Sequence, residues 1–186
     1  TAKAVAMIAR AQQQGLPVTA SVTAHHLHLC ETDVGVFNTM CKVMPPLRSS
    51  NDRSALLKAV KQGVVASICS DHQAHGRDAK LAPFSEAASG IAGLETLLGL
   101  SITLVDREIF DLPTAIASLT INPARAMGIE RGSLGVGDQA DVCVFDREKK
   151  WHLDANSMLS RGSNTPFTDT ELIGQVEYTI VSGNIV

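Results

Sequence analysis

Apolar and polar positions follow two different periods along this chain. Over residues 2–14 (AKAVAMIARAQQQ) strong helix formers dominate, and Ala4, Val5, Ile8 and Ala11 fall at helical spacing, with Met7 read as core or core edge. Gly15 suits the end of that helix. After Pro17, Val18 to Val22 alternates as a strand does, and His25, His26 and His28 follow directly. On a continuing strand His26 and His28 share one face and His25 takes the other. Asn51 and Asp52 are the expected N-caps of a helix that runs to Gln62 and closes at Gly63. Val64 to Cys69 (VVASIC) is a continuous apolar run, the pattern of a parallel strand buried on both faces, and it stops at Ser70-Asp71-His72.

Helix, strand, helix, strand is the rhythm of a parallel α/β fold, in which site residues gather at the C-terminal ends of strands. A long loop over 73–90 comes next, and long loops inside a domain are often functional. Helices are predicted over 91–105 and 112–120, with Pro113 placed for a first turn. Near residue 130 the character changes. Gly132, Gly135 and Gly137 punctuate a turn-rich stretch, and 140–146 and 176–185 read as strands. Two units are therefore expected, residues 1–130 and residues 131–186. The chain opens on Thr1 inside a helical pattern with no strand before it, so a sequence cut from a longer one is expected.

Composition narrows the function classes. The chain has 186 residues, 45% of them apolar and 19% charged, as in soluble globular domains. A net charge of -3 leaves no basic excess to neutralise phosphates, so nucleic acid is not an expected partner. There is no apolar run of roughly 18 residues, so no membrane span is expected, and no signal peptide is visible. Cys30, Cys41, Cys69 and Cys143 form no CxxC pair. They read as reduced thiols of a cytoplasmic protein.

The sharpest candidate chemistry is Ser70-Asp71-His72-Gln73-Ala74-His75 at a strand end. An aspartate there can bind a divalent metal and take a proton from its bound water. The plainer reading is that Asp71 caps the loop and the histidines are solvated. Three histidines at 25, 26 and 28 can ligate metal, but the favoured reading is that they hold loop backbone by hydrogen bonds. Arg48, after Pro45-Pro46-Leu47, either grips a carboxylate bidentately or braces a helix carboxylate. The glycines at 132–137 lack a following helix and a lysine, so they form no phosphate loop, and Ser70 lacks the GxSxG elbow of a serine hydrolase.

Taken in order, these pieces resemble class I dihydroorotases of the amidohydrolase superfamily. GLPVTASVTAHHLHL is similar to that family's strand and HHL element, KVMPPLRS to its NPPLR segment, and ICSDHQAH to its SDHAPH or TDHAPH signature at the last barrel strand. PFSEAASGIAGLET resembles the substrate-loop segment and its helix, and TINPARAMGI the helix ending in NPAR. GSLGVGDQADVCVFD, NTPF and VEYTIVSGNIV resemble the returning β domain. The resemblance implies the C-terminal part of a (β/α)8 barrel followed by part of a small β-sandwich domain. It implies a parent enzyme that interconverts dihydroorotate and N-carbamoyl-L-aspartate in pyrimidine biosynthesis, with one or two zinc ions and a metal-bound hydroxide.

On this resemblance Asp71 matches the aspartate that shuttles the proton and ligates metal. His75 matches the histidine on the substrate carboxylate, and Ser89 and Gly90 match the substrate-binding backbone. Met44 stands where the family carries a substrate-contacting asparagine, and a thioether cannot supply that amide's paired donor and acceptor. Ala74 replaces the usual proline. The family's metal histidines lie in earlier strands, so the HHL pair does not match them. This chain alone is then expected to be inactive and to retain no zinc. Its strand edges should be covered by the missing half or by a homo-oligomer. Two other parents fit the resemblance: a noncatalytic dihydroorotase-like subunit holding aspartate transcarbamoylase, and a related hydantoinase, dihydropyrimidinase or allantoinase. Retention of Asp71 and His75 favours the catalytic parent.

Overall fold

The computed structural model describes residues 1–168 and 170–186. Helix α1 (Ala2–Gln13) starts from Thr1, whose hydroxyl accepts the Ala4 N–H. Val5 packs on the core, whereas Met7 is 65% exposed. Met7 lies about 200° around the helix from Val5, so one inward stripe cannot hold both. The core placement expected for Met7 is thereby corrected.

Strand β1 (Ser21–Thr23) begins later than the Val18–Val22 reading and pairs in parallel with β2 (Ser67–Cys69). Val22 lies opposite Ile68, and both are buried, as the apolar run of β2 required. The strand expected through His25–His28 is instead a short helix, α2 (Ala24–His28). Thr23 ends β1 and caps this helix, its hydroxyl accepting the His26 N–H. His26 and His28 therefore do not share the face of a strand.

Helix α3 (Ser50–Lys61) is capped by Ser49, not by Asn51 or Asp52. The Ser49 hydroxyl accepts the Asp52 N–H and donates to the Asp52 carboxylate. Asp52 also accepts the Ala2 N–H at 2.7 Å, which places a negative charge at the start of α1.

Helix α4 (Leu97–Asp106) starts later than expected, because residues 91–92 are already engaged elsewhere. Ile91 bridges to His72, and the Ala92 N–H donates to the Asn164 carbonyl. An unbroken buried stretch, Gly99 to Leu104, shows that α4 is covered on more than one side. After α5 (Leu112–Leu119) the chain breaks at Thr120 and restarts as α6 (Ile121–Met127). The break places Pro123 in the first turn of a new helix, where its missing N–H and its ring are tolerated.

Strands β3 (Val142–His152), β4 (Glu171–Val181) and β5 (Asn184–Ile185) form an antiparallel sheet in that order. β3 runs beyond the expected 146 through the charged segment Arg147–Lys150. Lys149–Glu177 and Lys150–Glu171 ion pairs, at 3.0 and 2.9 Å, join it to β4 there. β4 begins at Glu171, five residues before the expected start. It crosses α4 closely: Gly99 faces Leu172 and Trp151, and Gly174 faces Ile102. Leu153, Phe167 and Leu172 join Val22, Ile68 and Leu100 in one buried cluster. Residues beyond 150 therefore pack into the same core as β1 and β2. Among the described residues no helix is long and apolar enough to cross a membrane.

Candidate active site

Strand β2 ends at Cys69, and Asp71 follows two residues later, half-buried, with a positive φ of 43°. Left-handed backbone is uncommon outside glycine, and aspartate is among the residues that tolerate it. Its carboxylate receives one long contact among the described residues, from the Gln73 side-chain amide at 3.5 Å. Its field reaches two neighbours. Burial holds the His26 imidazole below its ordinary pKa, offset in part by the Pro45 and Pro46 carbonyls and then by the Asp71 charge, and burial together with Asp71 pushes the Cys69 thiol up.

The loop after Asp71 folds back on the segment before α4. His75 Nε2 lies 2.8 Å from the Ser89 carbonyl. A carbonyl only accepts, so Nε2 carries the proton and Nδ1 is the ring nitrogen left over. Gly90 donates its N–H to the Lys42 carbonyl at 2.9 Å. Its φ is 121°, and a Cβ there would overlap the Gln73 side chain, so only glycine fits. Of the expected site residues, His75 is thus joined to Ser89, and Gly90 is the next residue along the chain.

Met44 is 67% exposed and precedes Pro45 through a cis peptide. It is linked to the group only indirectly. His26 Nε2 donates to the Pro45 carbonyl at 3.1 Å, while its Nδ1 meets the Thr23 hydroxyl at 2.6 Å. His28 Nε2 likewise donates to the Leu100 carbonyl at 3.0 Å. Both side chains hold backbone, as the plainer reading of the histidine cluster had it. His25 differs: it is 2% exposed, and among the described residues its Nε2 has no hydrogen-bond partner. Burial, with the neighbouring His26, pushes its pKa down to about 3. His72 is an anchor as well, its Nδ1 accepting the Gly93 and Leu94 N–H groups at 3.2 Å each. Arg48 lies 4.0 Å from Asp52, on the bracing side of its two readings.

Two residues that organise this region had no signal of their own in the sequence. Lys80, 3% exposed, donates to the carbonyls of Ala88, Thr39 and Lys42 at 2.7, 3.0 and 3.3 Å. Burial lowers its pKa, and nearby Lys42 lowers it further. Asn164, also 3% exposed, accepts the His75 N–H at 2.7 Å and donates to the Gln73 and Gly90 carbonyls at 2.9 and 3.0 Å. Asn164 lay inside the NTPF stretch, but a short amide beside a proline reads equally well as an ordinary turn residue.

Among the described residues no three His, Cys, Asp or Glu side chains converge to hold a metal. The thinly bonded Asp71 carboxylate could serve as one metal ligand, and among the described residues no second and third stand beside it.

The sequence profile of the amidohydrolase family matches residues 4–186, and the chain belongs to that family. It is 44% identical over 185 residues to a dihydroorotase-like protein of Pseudomonas putida, covering 100% of this chain and 43% of that protein. It is 41% identical over 186 residues to a dihydroorotase of Syntrophus aciditrophicus, covering 100% of this chain and 44% of that enzyme. The chain thus spans less than half the length of these relatives. Among solved structures, an L-hydantoinase from Arthrobacter aurescens superposes with a TM-score of 0.93 at 27% identity, over 100% of this chain and 42% of that one. A D-hydantoinase from Thermus sp. superposes at 0.90 with 23% identity, over 98% of this chain and 42% of that one, a likeness of fold alone. The mixed α/β arrangement is that of amidohydrolases.

Proposed function

We propose that this chain is the C-terminal portion of a dihydroorotase-type cyclic amidohydrolase that interconverts dihydroorotate and N-carbamoyl-L-aspartate in a cytoplasmic pyrimidine pathway. The observation that carries the reading is the bond between His75 and Ser89 in the loop that follows Asp71, with Gly90 next along the chain and tied to the His75 backbone through Asn164. That loop stands at the C-terminal end of a parallel strand, where α/β enzymes place their chemistry. Relatives named dihydroorotase along the whole chain support the choice of substrate.

In this reading β1 and β2 are the last strands of a (β/α)8 barrel within residues 1–130, and residues 131–186 are part of a small β-sandwich domain. One or two zinc ions, when bound, supply Lewis acidity at water and at the ring amide carbonyl. Asp71 contributes one metal ligand and carries the proton between water and the leaving nitrogen. His75 meets the substrate carboxylate. With Nε2 committed to Ser89, that contact runs through Nδ1. Ser89 and Gly90 supply backbone contacts. Met44 cannot supply the paired donor and acceptor of an asparagine, so this position gives the substrate no such contact. The rest of the barrel, or a homo-oligomer, covers the strand edges.

The test is turnover of dihydroorotate by the zinc-loaded protein that carries this sequence, with Asp71→Asn beside it. The variant is expected to lose at least about a hundredfold in kcat. Turnover of hydantoin or dihydrouracil but not of dihydroorotate would move the assignment to the hydantoinases. A second reading, a noncatalytic subunit that holds aspartate transcarbamoylase, draws on Met44 and on two relatives, 44% and 43% identical, named dihydroorotase-like protein. No turnover, with a transcarbamoylase co-purifying, would favour it.

A further inference from the structure

Asn164 belongs to the segment between β3 and β4, and it adds a bridge between the stretches around His75 and Gly90, which the Gln73–Ile91 and His75–Ser89 bonds already bring together. Its Oδ1 accepts the His75 N–H, and the two hydrogens of its Nδ2 go to the Gln73 and Gly90 carbonyls. Its own carbonyl accepts the Ala92 N–H at 3.0 Å. Every donor of the amide is used, and a flipped amide would set oxygen against two carbonyls and NH2 against an N–H. The network therefore permits one orientation only. Gly162, two residues earlier, lies against the His75 peptide so closely that a Cβ would overlap the His75 nitrogen and carbonyl. The returning segment thus holds this loop through two contacts, one polar and one steric.

We propose that Asn164 is a positioning residue: it sets the spacing between the His75 backbone and the Gly90 carbonyl, the two sides of the substrate-binding loop. This rests on the reading of His75, Ser89 and Gly90 as substrate contacts. Asn164 makes no hydrogen bond to Asp71 among the described contacts. Its loss should therefore weaken substrate binding while proton transfer continues. A displacement of about an ångström at a positioning group can change rate parameters by about a hundredfold. Truncation to alanine, which removes all three side-chain bonds, should therefore raise KM by about tenfold or more with kcat held within about threefold.

The experiment uses the whole zinc-loaded protein. Asn164→Ala and Gly162→Ala are compared with the parent by kcat and KM for dihydroorotate, and by hydrogen exchange over residues 73–76. Exchange needs no substrate, so it reports on the loop whatever the reaction is. Faster exchange with a KM-dominated defect is the expected result in both variants. If Asn164→Ala fails to fold, Gly162→Ala carries the test, since it pushes on the same His75 peptide, and so on its N–H bond to Asn164, while the amide side chain stays in place. Unchanged exchange in a folded Asn164→Ala, or faster exchange with unchanged KM, overturns the positioning role. A parent protein that does not turn over dihydroorotate overturns the substrate assignment instead, and exchange alone then decides whether Asn164 holds the loop.

Discussion

Acidification from pH 7 to pH 5 should destabilise this protein through His25, and the size of the effect follows from its burial. The side chain is 2% exposed, its Nε2 has no partner among the described residues, and its pKa lies at about 3 against the ordinary 6.5. At pH 7 the imidazole is neutral in the folded protein and mostly neutral in the unfolded chain, so it contributes little pH dependence there. Below 6.5 the unfolded chain binds a proton that the folded protein refuses, so stability falls with pH until about 3, where both forms are charged. At pH 5 the unfolded group lies about 1.5 units below its pKa, worth about 2 kcal/mol at 1.36 kcal/mol per unit. With a urea slope of about 2 kcal/mol per molar, the unfolding midpoint drops by about 1 M. His28, pushed down to about 4 chiefly by burial, loses stability over the same range and does so in every variant. The assay is urea unfolding at pH 7 and pH 5 of the parent and of His25→Leu. The variant should lose about 2 kcal/mol less than the parent over that interval. Equal pH dependence in the two proteins would mean that His25 accepts its proton while folded and would overturn this expectation.

Two further outcomes are expected. Lys80→Met leaves the Thr39, Lys42 and Ala88 carbonyls without their donor and should lower the unfolding free energy by about 2–4 kcal/mol, measured by denaturant titration; a change near zero would mean that water replaces the ammonium. The 186-residue chain by itself should not hydrolyse dihydroorotate even with added zinc, since Asp71 alone cannot match the about three protein ligands of a catalytic zinc; zinc-dependent turnover by that chain would overturn this.

Local patterns were legible from the sequence alone. The run VVASIC is continuously apolar and stops at polar residues, so β2 and the placement of Asp71 at its end could be read directly. Other local features were misplaced by competing signals of similar strength. Thr23 and Ser49 are caps as good as their neighbours, and which one acts depends on where the preceding backbone has already turned. The sequence order of motifs brought His75, Ser89 and Gly90 forward as one group, because each sat in a recognisable stretch. Only the tertiary structure decided what holds that group in place. Asn164 reaches His75 across 89 residues of sequence, and Lys80 reaches Thr39 and Lys42 across 41 and 38. The side-chain bonds of both go to main-chain groups, five carbonyls and one N–H. Every residue but proline carries the same two backbone groups, so nothing in the order of side chains marks which carbonyl a buried amide or ammonium will find.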